Sequence, residues 1–271
     1  EFFYYLEQNH IKNINQITTK TVKEYYSYLQ QRANETRNGG LSKSYLNKHQ
    51  QALKKFKEYL QNHNYKGFNL HLKSERNPTE EKLNILTQSE IKELFSATKY
   101  SHSESRFRLR DKAILTILYS CGLRRTEAVS LDISDVFFDK ERILVRKGKN
   151  YKERFVPINR KNAEILEDYI FEGRPEFYNS KDSEALFVSK QGNRLNGMSF
   201  ANRLKAIVQA TNNKNIVEKQ ITLHILRHSI ATHLLQQEVP LESIKTFLGH
   251  SSLESTQIYT HLLKTIENDD I

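Results

Sequence analysis

The chain has 271 residues, which is room for one large domain or two smaller ones, and 37% hydrophobic content is enough for a packed core. A formal net charge of +10 and a pI near 9.4 point to a polyanionic partner, with nucleic acid the first candidate. A single cysteine, Cys121, excludes an intrachain disulfide and fits a reducing cytoplasm, and no apolar run approaches the ~18 residues of a membrane span or reads as a signal peptide. The chain opens on Glu1 rather than Met, which is read as a trimmed start.

Residues 1–66 read as helical. In "TTKTVKEYYSYLQQRANE" (18–35), threonine caps precede Val22, Tyr25, Tyr26 and Leu29 at helical spacing, and "NGG" (38–40) ends the pattern. The next helix (41–64) sets Tyr45, Leu46, Leu53, Phe56 and Leu60 on one side and most of its lysines, Lys48, Lys54 and Lys55 among them, elsewhere. Such a face is either simply solvated or a DNA contact. The first 80 residues carry more than half of the positive excess, which favours DNA. The polar stretch 71–84, with Pro78, reads as a linker, giving domains over 1–75 and 85–271 separated by 76–84.

Thr87 and Glu90 form a capping box for a new helix, a second helix covers about 108–121, and a third starts near Arg124. The period then changes. "ISDVFFD", "RILVRKG" and "KERFVPI" are short β-type runs and predict a small antiparallel meander over 133–158. "NRKNAEILEDYIFE" returns to helix, 185–195 is irregular or strand, and the rest from about 197 is helical. The expected fold is mainly α with a small antiparallel β-meander.

Three stretches carry chemistry. In "HILRHSIATHLLQ", His224, Arg227 and His228 share a helix face. Two histidines four apart can hold zinc, but Ile225 stands where a zinc protease needs Glu and Arg227 opposes a metal, so the face suits an anion and no metal is expected. In "LGHSSLESTQIYTH", Gly249 can end one helix while Ser251 and Glu254 cap the next, leaving His250 in the turn and Tyr259 two turns further on. In "RKGKNYKERFVPI", Lys149 falls at a hairpin tip from which an ammonium can reach into DNA.

Taken together, these pieces resemble the tyrosine recombinases, also called λ-integrase-type site-specific recombinases. "GLRRTE" is similar to the family's first arginine box, "GKNYKER" to its hairpin lysine, "HILRH" to its H-x-L-R-H box and "LGH" to its second histidine, with Tyr259 nine residues later. The motifs cover about 85–265 in the family's order; residues 1–75 match its helical core-binding domain by size and charge only. The resemblance implies Arg124, Lys149, His224, Arg227, His250 and Tyr259 as catalytic residues, with Glu127 and His228 in support. Lys147 competes with Lys149 for the hairpin role; the spacing to "KER" favours Lys149. Arg125, Lys147 and Lys152 are candidate DNA contacts alongside Lys48, Lys54 and Lys55.

The resemblance further implies a helical core-binding domain joined to an α+β catalytic domain. It implies strand cleavage through a 3′-phosphotyrosine without ATP, metal or other cofactor, and exchange through a Holliday junction by a homotetramer that is monomeric when free. The partner is duplex DNA bearing a specific site, and the location is the cytoplasm at the nucleoid. A type IB topoisomerase, or a DNA-binding regulator that keeps the fold without catalysis, are the alternatives. These 271 residues leave no room for an N-terminal arm-binding domain unless one was trimmed, and that architecture suits an Xer-like resolvase or a mobile-element integrase.

Overall fold

The structure, a computed structural model, describes residues 1–35, 38–65, 68, 85–146, 153–250 and 256. The chain divides into two compact units, Glu1–Lys82 and Leu83–Ile271, and the expected linker 76–84 lies outside the described residues.

Helices α1 (Phe2–Gln8), α2 (Thr19–Gln31) and α3 (Lys43–Asn62) build the first unit. The threonine run before α2 acts as a cap: Thr18 Oγ1 accepts from the Thr21 backbone N–H, and Thr21 Oγ1 accepts in return from the Thr18 N–H. Ser42 does the same for α3 through the Tyr45 N–H. Val22, Tyr25, Tyr26 and Leu29 of α2 meet Leu46, Leu53 and Leu60 of α3 in one core. Tyr45 departs from the expected stripe. It is exposed, its ring set edge-on to His49 at 4.9 Å, and the buried place on that side goes to Gln50, which donates to Tyr26 Oη at 2.8 Å. Gln50 is absent from an apolar pattern because it is polar, and it is tolerated inside because its amide is bonded. Lys48, Lys54 and Lys55 are exposed on α3.

In the second unit, α4 (Gln88–Ala97) starts at the Thr87–Glu90 capping box, with the Thr87 N–H donating to Glu90 Oε2 at 2.8 Å. Helix α5 (Ser105–Leu115) runs into a π-helical turn, Thr116–Ser120, and the short α6 (Arg125–Ser130) follows. The meander forms as β1 (Val136–Phe137), β2 (Arg142–Val145) and β3 (Arg154–Pro157), antiparallel in chain order. Ile143 pairs with Val156 and Val145 with Arg154, so the buried residues of β2 and β3 share the core face. "ISDVFFD" yields only a two-residue strand, because Ile133–Asp135 coils into a 3₁₀ turn in which Asp135 caps the Asp132 N–H. Residues 185–195 are irregular, tied by isolated bridges at Asp132–Ala185 and Val188–Arg194.

Helices α7 (Arg160–Glu167), α8 (Gly197–Ala210), α9 (Lys214–Glu218), α10 (Leu223–Gln236) and α11 (Leu241–Leu248) complete the unit. Helix α10 packs on the π-helical turn and on α11, which brings three distant chain segments to one place. Among the described residues, no helix is long and apolar enough to cross a membrane.

Candidate active site

Gly122, at φ +60°, turns the chain from the π-helical segment into α6. A Cβ there would sit 3.0 Å from Leu248 and Phe247 side-chain atoms, so glycine also lets α11 approach. Arg124 is the N-cap of α6 and Glu127 its third residue. The i, i+3 spacing folds Glu127 back: its Oε2 accepts from the Arg124 N–H at 2.8 Å and its Oε1 from Arg124 Nη1 at 2.9 Å. A capping box and an ion pair are thus made by the same two residues.

Arg227 enters from α10, 4% exposed, and donates to the carbonyls of Gly122 at 2.5 Å and Leu248 at 2.6 Å. Its Nη1 lies 3.8 Å from Glu127 Oε2. Arg124 donates to the Leu248 and Gly249 carbonyls at 3.3 and 3.1 Å. Gly249 takes the left-handed conformation, φ +66°, that ends α11 and leads into His250. The last carbonyls of a helix have no partner within it, and guanidinium groups suit its negative end.

A third guanidinium completes the cluster. Arg154, the first residue of β3, grips Glu127 with both terminal nitrogens at 3.0 Å each and donates from Nε to the Phe247 carbonyl at 3.0 Å. Sequence reasoning passed over Arg154, which entered only as part of the "KER" run. The signal was available: in a strand, Arg154 shares a face with Val156, and a basic residue on a buried face needs a counter-ion.

Burial pushes the Glu127 carboxyl up. The hydrogen bonds and charge of Arg154, with the backbone N–H and charge of Arg124, outweigh that and hold it down to about 2. His250 is held down to about 4, first by burial and then by Arg227, Arg124, His228 and Arg154. Its Nδ1 lies 2.9 Å from the hydroxyl of the buried Thr256. His228 is also lowered to about 4, by burial first and then by His224 and Arg227. Both imidazoles are therefore neutral at pH 7, and one nitrogen of each ring can accept a proton.

The structure thus gathers Arg124, Glu127, Arg227, His228 and His250. His224 is exposed one turn before His228 on α10. Arg125 is exposed and its side chain lies along Gly197, where a Cβ would come within 3.0 Å of its Cδ; with Lys205 and His224 it borders a groove beside the cluster. Lys147, Lys149, Lys152, Ser251, Glu254 and Tyr259 lie outside the described residues.

Among the described residues, the cluster brings three guanidiniums onto one carboxylate at a largely buried place, and guanidinium stays protonated in proteins. That arrangement suits an anion that itself carries charge on several oxygens.

Comparison with known proteins gives the same direction. The model of the phage integrase family matches residues 84–265. The chain is 31% identical over 269 residues to a tyrosine recombinase XerC of Oceanobacillus iheyensis, covering 97% of this chain and 82% of that one. To a tyrosine recombinase XerD of Pseudomonas putida it is 36% identical over 179 residues, covering 66% of this chain and 57% of that one, little more than half of the relative. A solved structure of XerH site-specific recombinase, bound to palindromic difH substrate in a post-cleavage complex, superposes with a TM-score of 0.72 at 23% identity, covering 99% of this chain and 76% of that one. That last likeness is one of fold.

Proposed function

We propose, since this chain belongs to the phage integrase family, that it is a site-specific tyrosine recombinase, cutting and rejoining duplex DNA through a covalent 3′-phosphotyrosine. The observation that carries the reading is the meeting of Arg124, Arg154 and Arg227 around Glu127. Attack of an anionic oxygen on a phosphodiester gives a pentacoordinate phosphorane with two negative charges on its non-bridging oxygens. Preorganised guanidiniums in a water-poor site stabilise such charge without reorganising. The XerC and XerD relatives, and the XerH complex with its difH substrate, support the same reading.

In this mechanism the Tyr259 phenol oxygen attacks the scissile phosphorus and the bond from phosphorus to O5′ breaks. The phenol has an ordinary pKa of about 10 and needs a base at neutral pH. The neutral imidazole of His250 accepts its proton. Lys149 gives a proton to the departing O5′, leaving a 5′-hydroxyl. Arg124 and Arg227 hold the non-bridging oxygens, His224 and His228 add hydrogen bonds, and Glu127 orients Arg124. The phosphotyrosine ester conserves the bond energy, so attack by the 5′-hydroxyl of a second strand reverses the step without ATP. Two rounds of this exchange pass through a Holliday junction on a tetramer assembled over two sites, built from monomers that are free in the nucleoid-bearing cytoplasm.

Each unit contributes a DNA-binding face. The first supplies α3 with Lys48, Lys54 and Lys55, and in the second Arg125 lies beside the cluster while Lys147 and Lys152 flank Lys149 in sequence. These are phosphate contacts that position the duplex rather than read it.

Covalent trapping tests the reading. Wild type and Tyr259→Phe are incubated with nicked duplexes from the flanks of the native gene and separated in SDS. An adduct formed by wild type and lost in the variant is the expected result; equal adducts in both remove Tyr259 from the mechanism. Relaxation of any supercoiled plasmid without site preference would replace recombination by a topoisomerase activity.

A further inference from the structure

We infer that Arg154 is a positioning residue for the proposed reaction: its guanidinium sets the Glu127 carboxylate, and through it Arg124 and the turn that carries His250. The inference rests on the reading above and extends it to a residue that the "GKNYKER" motif contains without a role of its own.

The terminal torsion of a glutamate side chain is soft and roughly two-fold. The capping box alone therefore fixes where the Glu127 carboxylate lies better than how it is turned. A planar fork on both oxygens removes that freedom. Arg154 supplies the fork, with Nη1 on Oε1 and Nη2 on Oε2 at 3.0 Å each. Oε1, so oriented, is the oxygen that takes Arg124 Nη1.

The third bond reaches the other wall of the site. Arg154 Nε donates to the Phe247 carbonyl, and the next two carbonyls, Leu248 and Gly249, take Arg124 and Arg227. The end of α11 is thus held by three guanidiniums in succession, and the chain passes from there into His250. Gly249 makes room for this: a Cβ would lie 2.6 Å from Arg154 Nη1 and 2.7 Å from Cζ. The Arg154 side chain is 9% exposed, against 19% for Arg124, and Nε and both terminal nitrogens each bond to protein. Its bonds are to the residues that hold the phosphate clamp, so it acts through them.

The test uses the full chain and nicked duplexes with either the ordinary phosphodiester or an uncharged methylphosphonate at the cleavage position. DNA affinity and the single-turnover rate of adduct formation are measured for wild type, Arg154→Ala and Arg154→Lys. For Arg154→Ala, affinity is expected to hold while the phosphodiester rate falls on the order of 10²-fold, the size of loss that small misplacement of a catalytic group produces. Most of that loss should vanish on the methylphosphonate, whose neutral centre asks less of Arg124. Arg154→Lys keeps the charge without the fork, should recover part of the rate, and carries the test if the alanine variant does not fold. A wild-type rate in the alanine variant, an equal loss on both substrates, or a loss confined to affinity overturns the inference. Absence of an adduct from wild type on either substrate overturns the recombinase reading and this one with it, whereas a wild-type adduct left untouched by the variants removes Arg154 alone.

Discussion

Both units contain an arginine, a glutamate and a histidine drawn together, and they balance charge differently. In the first, Arg32 Nε meets Glu1 Oε1 at 2.6 Å, His49 Nε2 lies 3.5 Å from the other oxygen, and Tyr25 Oη meets the second His49 nitrogen at 3.0 Å. One guanidinium answers one carboxylate, with Glu35 a further 4.0 Å partner at the rim. In the second, one carboxylate faces three guanidiniums. Other ion pairs of the same unit do balance: Arg203 with Asp111, and Arg146 and Arg194 with Asp132 and Asp135. A matched pair completes itself and is structural. Among the described residues, several guanidiniums sharing one carboxylate depart from that one-to-one pairing, and the departure rather than residue type marks the candidate cluster.

Removing the shared carboxylate should have the largest effect. Glu127→Ala takes from Arg124, Arg154 and Arg227 the carboxylate they share, and breaking a buried pair typically costs about 3–5 kcal/mol, to be read as a shifted urea midpoint. A loss near zero would mean solvent or bound anion already neutralises the cluster. Arg227→Ala comes next: loss of one preorganised donor lowers adduct formation by about 10²–10³. The comparison breaks if Arg32→Ala lowers the adduct rate as far.

Gly249→Ala forces a side chain into the left-handed region, which costs roughly 1–2 kcal/mol, and onto Arg154. Recovery of stability on combining it with Arg154→Ala would show that the clash with Arg154, rather than the backbone conformation, dominates. The pH profile sharpens the same contrast. His228 and His250 are held at about 4 in the folded protein against 6.5 when unfolded, so below pH 6.5 the unfolded chain binds more protons. Stability should therefore fall as pH drops from about 6.5 to about 4, and the part owed to Glu127 should go as pH falls from about 4.5 towards about 2. A flat profile between 4 and 6.5 would place both rings in more open surroundings. Smallest of all, Glu1→Ala should cost about 0–1 kcal/mol, as half-exposed pairs do, with melting unchanged within that range.

Much of this is legible before any coordinates are seen. The Thr87 and Thr18 caps, the meander and the α10 face follow from spacing rules that act within one or two turns. Tyr45 and Gln50 show where such rules stop. Both satisfy helical spacing, and a partner across the core, Tyr26, decides that the amide goes inside and the ring outside. Arg154 is the same lesson at the site: its inward strand face could be inferred from Val156, but the carboxylate that satisfies it lies on another element.

By itself, the sequence determined the order of the boxes, the Arg124–Glu127 cap that is closed by three residues of helix, and the shared face of His224, Arg227 and His228. Those depend on helical period and short-range hydrogen bonding, which every chain of that local pattern obeys. Only the tertiary structure decided that Arg124, Arg154 and Arg227 meet on one carboxylate, and that they close over the end of α11. That meeting follows from packing α10 on the π-helical turn and on α11, with Arg154 of β3 reaching the α11 end and Gly122 and Gly249 lacking the atoms that would hold the segments apart. Long-range packing of this kind depends on the whole core at once, and no window of sequence contains it.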